Sequence, residues 1–409
     1  MNAPRDFPCN TCGARLAFRP GVAALVCPYC GARNEIGQST VGPDAPPPSP
    51  WGAPGEAPPA PPAAPAWPGD GVVVEEDADA AAQGALIERD LAEALAALES
   101  AGSADGTIET TRTTRCPGCG AEVDLGDDRI ADDCPFCATP LAREATHDHR
   151  HPAPQGVLPF ALEQREAREA MKKWLSGLWF APNGLKKFAE AGRPLDGVYV
   201  PHYTFDAYGQ AQYRGQRGDA YYVTRTVTRN GKTMNQRVRR IRWTSVSGRV
   251  ANHYDDVLVP ATATLTEFGK QAAVRSPEWD LQGMQAYNTG FLAGFTAEAP
   301  SLPLGEGFEQ AADAMEASLR QIARRDIGGD EQRISWFSAR FSEASFKHVL
   351  LPVWLASYRY RNEPYRVAIN ARTGKVVGQR PYSWWKIAIA VVLALAVVGG
   401  FLYLNAAQL

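Results

Sequence analysis

Apolar and polar positions along the chain follow three patterns, and each predicts a different element. The longest apolar run is IAIAVVLALAVVGGFLYL, Ile387 to Leu404, with no charged or strongly polar side chain. A helix over it is ~27 Å long at ~1.5 Å per residue, close to the ~30 Å of a bilayer's hydrocarbon core. Trp384, Trp385 and Tyr403 fall near its ends, as interfacial aromatics do. The pattern predicts one transmembrane helix, 384–404. Lys375, Arg380 and Lys386 precede it and only Asn405 to Leu409 follow. The positive-inside rule then places the bulk of the chain in the cytoplasm, on a single-pass C-terminal anchor of the cytoplasmic membrane.

The second pattern has helical spacing. Ile87, Leu91, Leu95 and Leu98 predict an amphipathic helix within 84–102. Leu162, Met171, Trp174, Leu175 and Leu178 predict another, ended by Pro182. Phe308, Met315, Leu319 and Ile322 predict a third, stopped at Gly328-Gly329. The remaining pattern is strand-like. It covers Gly197 to Tyr208, two runs within 219–250 that flank the hairpin signal Asn230-Gly231, and a meander over Val349 to Tyr360, Tyr365 to Ile369 and Lys375 to Val377.

Composition adds the boundaries. Residues 41–70 hold 12 prolines among Ala and Gly, which cannot assemble a core and mark a linker. The expected fold class is α+β: two small all-β zinc ribbons, a mixed α+β cytoplasmic domain and the C-terminal transmembrane helix. The segments are zinc ribbon 1 (1–37), a Pro/Ala-rich linker (38–83), the amphipathic helix (84–102), zinc ribbon 2 (110–145), the cytoplasmic domain (155–382) and the membrane helix (384–404). The 42 Lys+Arg against 45 Asp+Glu give a net charge of -3, so the chain as a whole is neither a basic nucleic-acid coat nor an acidic tail.

All 8 cysteines fall in C-x-x-C pairs. Cys9, Cys12, Cys27 and Cys30 are repeated with identical spacing as Cys116, Cys119, Cys134 and Cys137. Each pair aims two thiolates at one ion, and the intervening stretch suits a hairpin that brings the second pair opposite. Two structural Zn2+ ions are implied, four-coordinate and with no position left for a reacting water. An iron-sulfur site and redox dithiols are the alternatives for the same residues. Glycine follows Cys12, Cys30 and Cys119, where a positive φ suits the turn, and Ala138 departs from that pattern. Paired thiols without a signal peptide point to a reducing compartment.

Arg225, Arg229, Lys232, Arg237, Arg239, Arg240, Arg242 and Arg249 lie in a stretch, 220–250, that contains no acid. Nucleic acid, anionic lipid and an acidic protein surface are the partners such a field suits, against the plain reading of a solvated strand face. The tract His147, His149, His151 is expected to join two domains as a mobile linker, with metal binding as its alternative. His202, His253 and His348 lie without a nucleophile pattern. Asp255, Asp256, Asp326, Asp330 and Glu331 are the carboxylates available for acid-base or Mg2+ chemistry, without a complete catalytic motif. Gly231-Lys232-Thr233 mimics the end of a phosphate loop, but Thr226 stands where that loop needs glycine.

The residues GVYVPHYTFDAYGQAQYRGQRG, DIGGDEQ, LLPVWLASYRYRNEPY and TGKVVGQRPYSWWK resemble a family of bacterial membrane proteins with N-terminal zinc ribbons, often labelled as like primosomal protein N′, a superfamily II helicase. The helicase motor is absent from this chain, so helicase or ATPase activity is not expected. The resemblance implies architecture: ribbons, a cytoplasmic domain and an anchor. Expected is a tail-anchored interaction or scaffold protein, with ribbons on a flexible tether meeting a protein partner. The alternative is a membrane-tethered nucleic-acid-binding protein that uses the basic hairpin 221–250.

Overall fold

The computed structural model describes residues 7–21, 24–36, 86–100, 106–118, 120–124, 131–134, 139–142, 146–182, 195–229, 232–262, 279–360, 363–379 and 381–406. The N-terminal part contains β1 (Ala17–Phe18), β2 (Ala24–Val26), β3 (Arg33–Glu35), β4 (Arg89–Asp90) and α1 (Leu91–Glu99). Next come β5 (Ile108–Arg115), β6 (Glu122–Asp124), β7 (Ala131–Asp133), β8 (Pro140–Ala142), β9 (Thr146–Pro152), β10 (Gly156–Val157) and α2 (Gln164–Ser176). The main sheet is completed by β11 (Asp196–Arg229), β12 (Lys232–Pro260), β13 (Gln285–Ala286), β14 (Thr296–Ala297), α3 (Leu304–Ile327), β15 (Glu331–Tyr360), β16 (Glu363–Asn370) and β17 (Val376–Gly378), before α4 (Trp384–Ala406). The linker 38–83 and the hairpin tip Asn230-Gly231 lie outside the described residues.

Three strands of 34, 29 and 30 residues, β11, β12 and β15, dominate the architecture. All are antiparallel in the order β12-β11-β15, and β10, β4 and β16 pair along the other edge of β15. The α+β expectation shifts toward sheet because these strands continue far past their apolar runs. From Gly209 to Gly215 the odd positions of β11 are buried, while Gln210, Gln212 and Arg214 are exposed. One face is therefore dry and the other wet, a period-two pattern that keeps Gly- and Gln-rich sequence in a strand.

Helix α3 covers the dry face. Met315, Leu319, Ala323 and Ile327 pack on Phe205, Ala207, Ala211, Tyr213 and Tyr254, and Gly209 and Gly307 leave the room this approach needs. The helix stops where predicted, with Gly328 at φ 65 and Gly329 at φ 74. At the other end of the sheet, α2 buries Ala167, Met171 and Leu175, as its spacing predicts.

Ribbon 1 (β1 to β3) is held on this same end. Phe18 meets Phe291 and Phe295, and Phe295 stacks on Phe160 with centroids 4.1 Å apart. The Phe18 amide donates to Ala293 O (3.0 Å) and the Gly21 amide to Phe160 O (3.2 Å). The flexible tethering expected from the linker does not describe this ribbon, whose apolar side shares a core with α2 and the sheet.

Helix α4 occupies the expected position, with Lys386 Nζ donating to Ala181 O (2.8 Å) and Val391 to Leu393 exposed. Among the described residues no helix is long and apolar enough to cross a membrane. This corrects the transmembrane helix expected over 384–404, and with it the tail anchor, the single-span membrane partner and the membrane localisation.

Candidate metal centre and basic arm

Four knuckles in this chain close in the same way. The amide five residues before its acceptor turns the chain at each: Cys9 N to Ala14 O (2.7 Å), Cys27 N to Ala32 O (2.9 Å), Cys116 N to Ala121 O (2.8 Å) and Cys134 N to Thr139 O (2.8 Å). Gly13, Gly31 and Gly120 take φ of 71, 73 and 74, which explains the glycine after three of the cysteines.

The first pair of knuckles assembles a complete donor set. Sγ atoms of Cys9, Cys12, Cys27 and Cys30 all lie within 4.8 Å of one another. Cys9 to Cys30 and Cys12 to Cys27 are each 3.5 Å apart. Four sulfurs on a tetrahedral Zn2+ at ~2.3 Å stand ~3.8 Å apart, so the residues fit that ion. The Thr11 amide, 3.4 Å from Cys9 Sγ, and the Cys12 amide hold the Cys9 thiol down to about 6. Cys12, although the Ala14 amide donates to it, is pushed up to about 12 by Cys27 and Cys30. Crowded thiols that cannot all ionise together are the electrostatic counterpart of a cation site.

In the second ribbon Cys116 and Cys134 are buried in one core cluster with Ala121, Val123, Val198, Val349 and Leu351. Cys119 and Cys137 lie outside the described residues. The stem of this ribbon is β5 with β9, paired from Ile108–Pro152 to Thr114–Thr146. The histidine tract expected as a mobile linker is therefore a strand. Its alternate positions line up: ring centroids run His147–His149 (6.4 Å), His149–His151 (5.6 Å) and His151–His348 (5.9 Å), from an exposed ring to a fully buried one.

The basic residues sit where the sheet thins. The third strand ends at Gly218↔Glu331, while β11 and β12 stay paired from Asp219↔Arg242 out to Arg229↔Lys232. The Asp330 amide donates to Gly218 O (2.9 Å) and Asp330 Oδ2 accepts from the Ala220 amide (2.7 Å), fixing the branch point. The strands on either side of the hairpin signal thus pair as a two-stranded arm. Register places Arg225, Arg240 and Arg242 on one face with Tyr221, and Arg237 and Arg239 on the other with Tyr222. Arg242 lies over Tyr221 (5.5 Å) and Arg237 over Tyr222 (5.0 Å). Arg239 pairs with Glu331 (2.9 Å). Arg229 and Lys232 occupy the last register position, and Arg249 lies below the branch point opposite Gln212.

The carboxylates singled out from sequence are not gathered in one place. Asp330 and Glu331 hold the branch point, and Asp326 accepts from Tyr213 Oη. Asp255 and Asp256 lie beside Asp206, roughly 40 Å away along β11 at ~3.3 Å per residue. There both neighbours of β11 bulge at one level, with Asp256 at φ 51 and Glu343 at φ 54. Lys347 Nζ lies 2.8 Å from Glu88, 2.9 Å from Asp256 and 3.6 Å from Asp206, almost out of contact with water. Burial, with the neighbouring Glu88 carboxyl, pushes Asp206 up to about 6. Glu88, despite its own burial, is held down to about 2 by Lys347. This cluster was missed. Its signal was Asp206 inside a buried strand run, since a carboxylate there requires a partner.

A Bacillus subtilis (strain 168) relative, "Uncharacterized protein YdjG", is 26% identical over 245 residues, which is 58% of this chain and 67% of that protein. No family model matches the chain. No solved structure matches it.

Proposed function

We propose that the chain is a non-catalytic interaction module: a zinc-stapled sheet that holds a two-stranded basic arm out to a partner. The observation that carries this reading is the arm, 219–242, which continues beyond the third strand and beyond α3 and gathers arginine and tyrosine on both faces. Exposed Tyr222 and the stacked arginines contribute little to the core, whereas Arg and Tyr are the residues that anchor interfaces. The four equivalent knuckles support two structural Zn2+ ions, the second held by Cys116, Cys119, Cys134 and Cys137. Such ions have closed coordination and act by holding the base of the sheet together.

The test removes the arm alone. Gly218 and Trp243 are register partners, so an Asn-Gly turn can join them in place of 219–242. The shortened full chain is expected to keep its melting temperature within a few degrees, because no core residue is lost. Cross-linking in a lysate followed by mass spectrometry should show partners of the native chain that the shortened chain no longer captures. Identical partner sets from both chains would overturn the arm as the working surface.

A further inference from the structure

We infer that the partner of the arm is duplex DNA, with the arm entering the major groove; this rests on the interaction-module reading above. The arm's charge is divided between its two faces. Arg225, Arg240 and Arg242 project from one, Arg237 and Arg239 from the other, and each face has its own arginine-tyrosine stack. Among the described residues, only Arg239 of these five makes an ion pair, and 220–250 contains no acid.

A flat acidic surface engages one face of a ribbon and leaves the charge on the other in water. A groove differs because both its walls are phosphate backbone, so a cationic element inside it is neutralised from both sides. Size agrees. A two-stranded ribbon with side chains is ~10 Å thick, near the face-to-face spacing of packed sheets, and the B-form major groove is ~12 Å wide and admits such a ribbon. Each strand of the arm, from 219 to 229 and from 232 to 242, extends ~36 Å. That is about one turn of the double helix. The A-form major groove of duplex RNA is too narrow for the same element.

The branch point keeps the arm directed. Asp330 fastens both Gly218 and Ala220, and Arg333 lies 3.9 Å from the Trp243 ring at the arm's base. An element held this way loses little freedom on binding.

The experiment is fluorescence anisotropy of the full zinc-loaded chain with a 30-base-pair DNA duplex, the same sequence as single strand, an RNA duplex and phosphatidylserine vesicles, from 50 to 200 mM salt. Two variants separate the faces: R240A/R242A and R237A/R239A, each checked by circular dichroism. Duplex DNA is expected to bind tightest. Each variant should weaken it roughly tenfold at 150 mM salt and lower the slope of log K against log salt by about 2. Loss in only one variant would overturn the groove geometry. Equal or tighter binding to single strand, RNA or vesicles, or no binding at all, would overturn DNA as the partner. A protein captured through the intact arm without DNA binding would leave the interaction module standing, whereas partner capture unaffected by arm removal would sink both readings.

Discussion

The His348 imidazole is displaced from its ordinary range, and the reason is its position. It is fully buried between Tyr203, His151 and the Pro152 carbonyl, which accepts from Nδ1 at 2.7 Å. Burial, together with the charges of His151, Arg89 and His202, takes it from 6.5 down to about 3. A ring kept neutral in the folded state contributes stability that is full above pH 6.5 and is lost as pH falls from there toward 3. Urea denaturation at pH 7.5 and pH 4.5 should show a loss on the order of a few kcal/mol in the native chain. The H348Q variant should lose measurably less over that interval. Equal losses would assign the acid sensitivity to other groups. His348 was legible only as an apolar-flanked histidine, since the neighbours that depress it come from β9, β11 and the 86–90 segment.

At the scale of elements, the double bulge beside Asp206 lets β12 and β15 each carry extra chain against β11 while the ladders continue on both sides. Extra residues in β12 and β15 at one level raise the local twist, and Asp256 of the β12 bulge meets Lys347. That lysine ties four segments: β15 itself, β11 through Asp206, β12 through Asp256 and the segment before β4 through Glu88. Removing one partner of a buried ion cluster leaves uncompensated charge. K347M is therefore expected to cost ~3–5 kcal/mol in chemical denaturation, with Asp206 alone, in D206N, costing less. Adding D206N to K347M should recover part of the loss, and an additive double variant would rule out the coupling. Periodicity predicted α2 and α3 with their buried faces. The strand lengths were not legible, because Gly, Gln and Arg at alternate positions have no strong preference until α3 dries one face.

For the whole molecule, the ribbons are parts of the core. Leu16, Phe18, Leu25, Cys9 and Cys27 share one buried cluster with Phe160, Phe291 and Trp354, and Cys116 and Cys134 share another with Val198 and Leu351. Metal removal should therefore loosen the sheet. Elemental analysis is expected to find two Zn2+ per chain, falling to one in C12S/C30S, whose ligands are both exposed. Hydrogen exchange after chelation should rise around 156–162 and 291–295, far in sequence from any cysteine. Unchanged exchange there would show that the ribbons sit on the sheet without stabilising it.

The sequence by itself determined the knuckles, the helix faces and the hairpin. Each depends on neighbours a few residues apart, where thiol spacing, 3.6-residue periodicity and turn chemistry act directly. Only the tertiary structure decided that ribbon 1 is seated on the sheet, that the histidine tract is a strand, and that the arginines divide between two faces of an unsupported arm. It also overturned the membrane span read from hydropathy. These features depend on residues distant in the chain: aromatic contacts from Phe18 to Phe160, an ion cluster from Glu88 to Lys347, and a third strand that ends at Glu331. No local pattern encodes such meetings, because their free energy arises only when the separate surfaces lose water together.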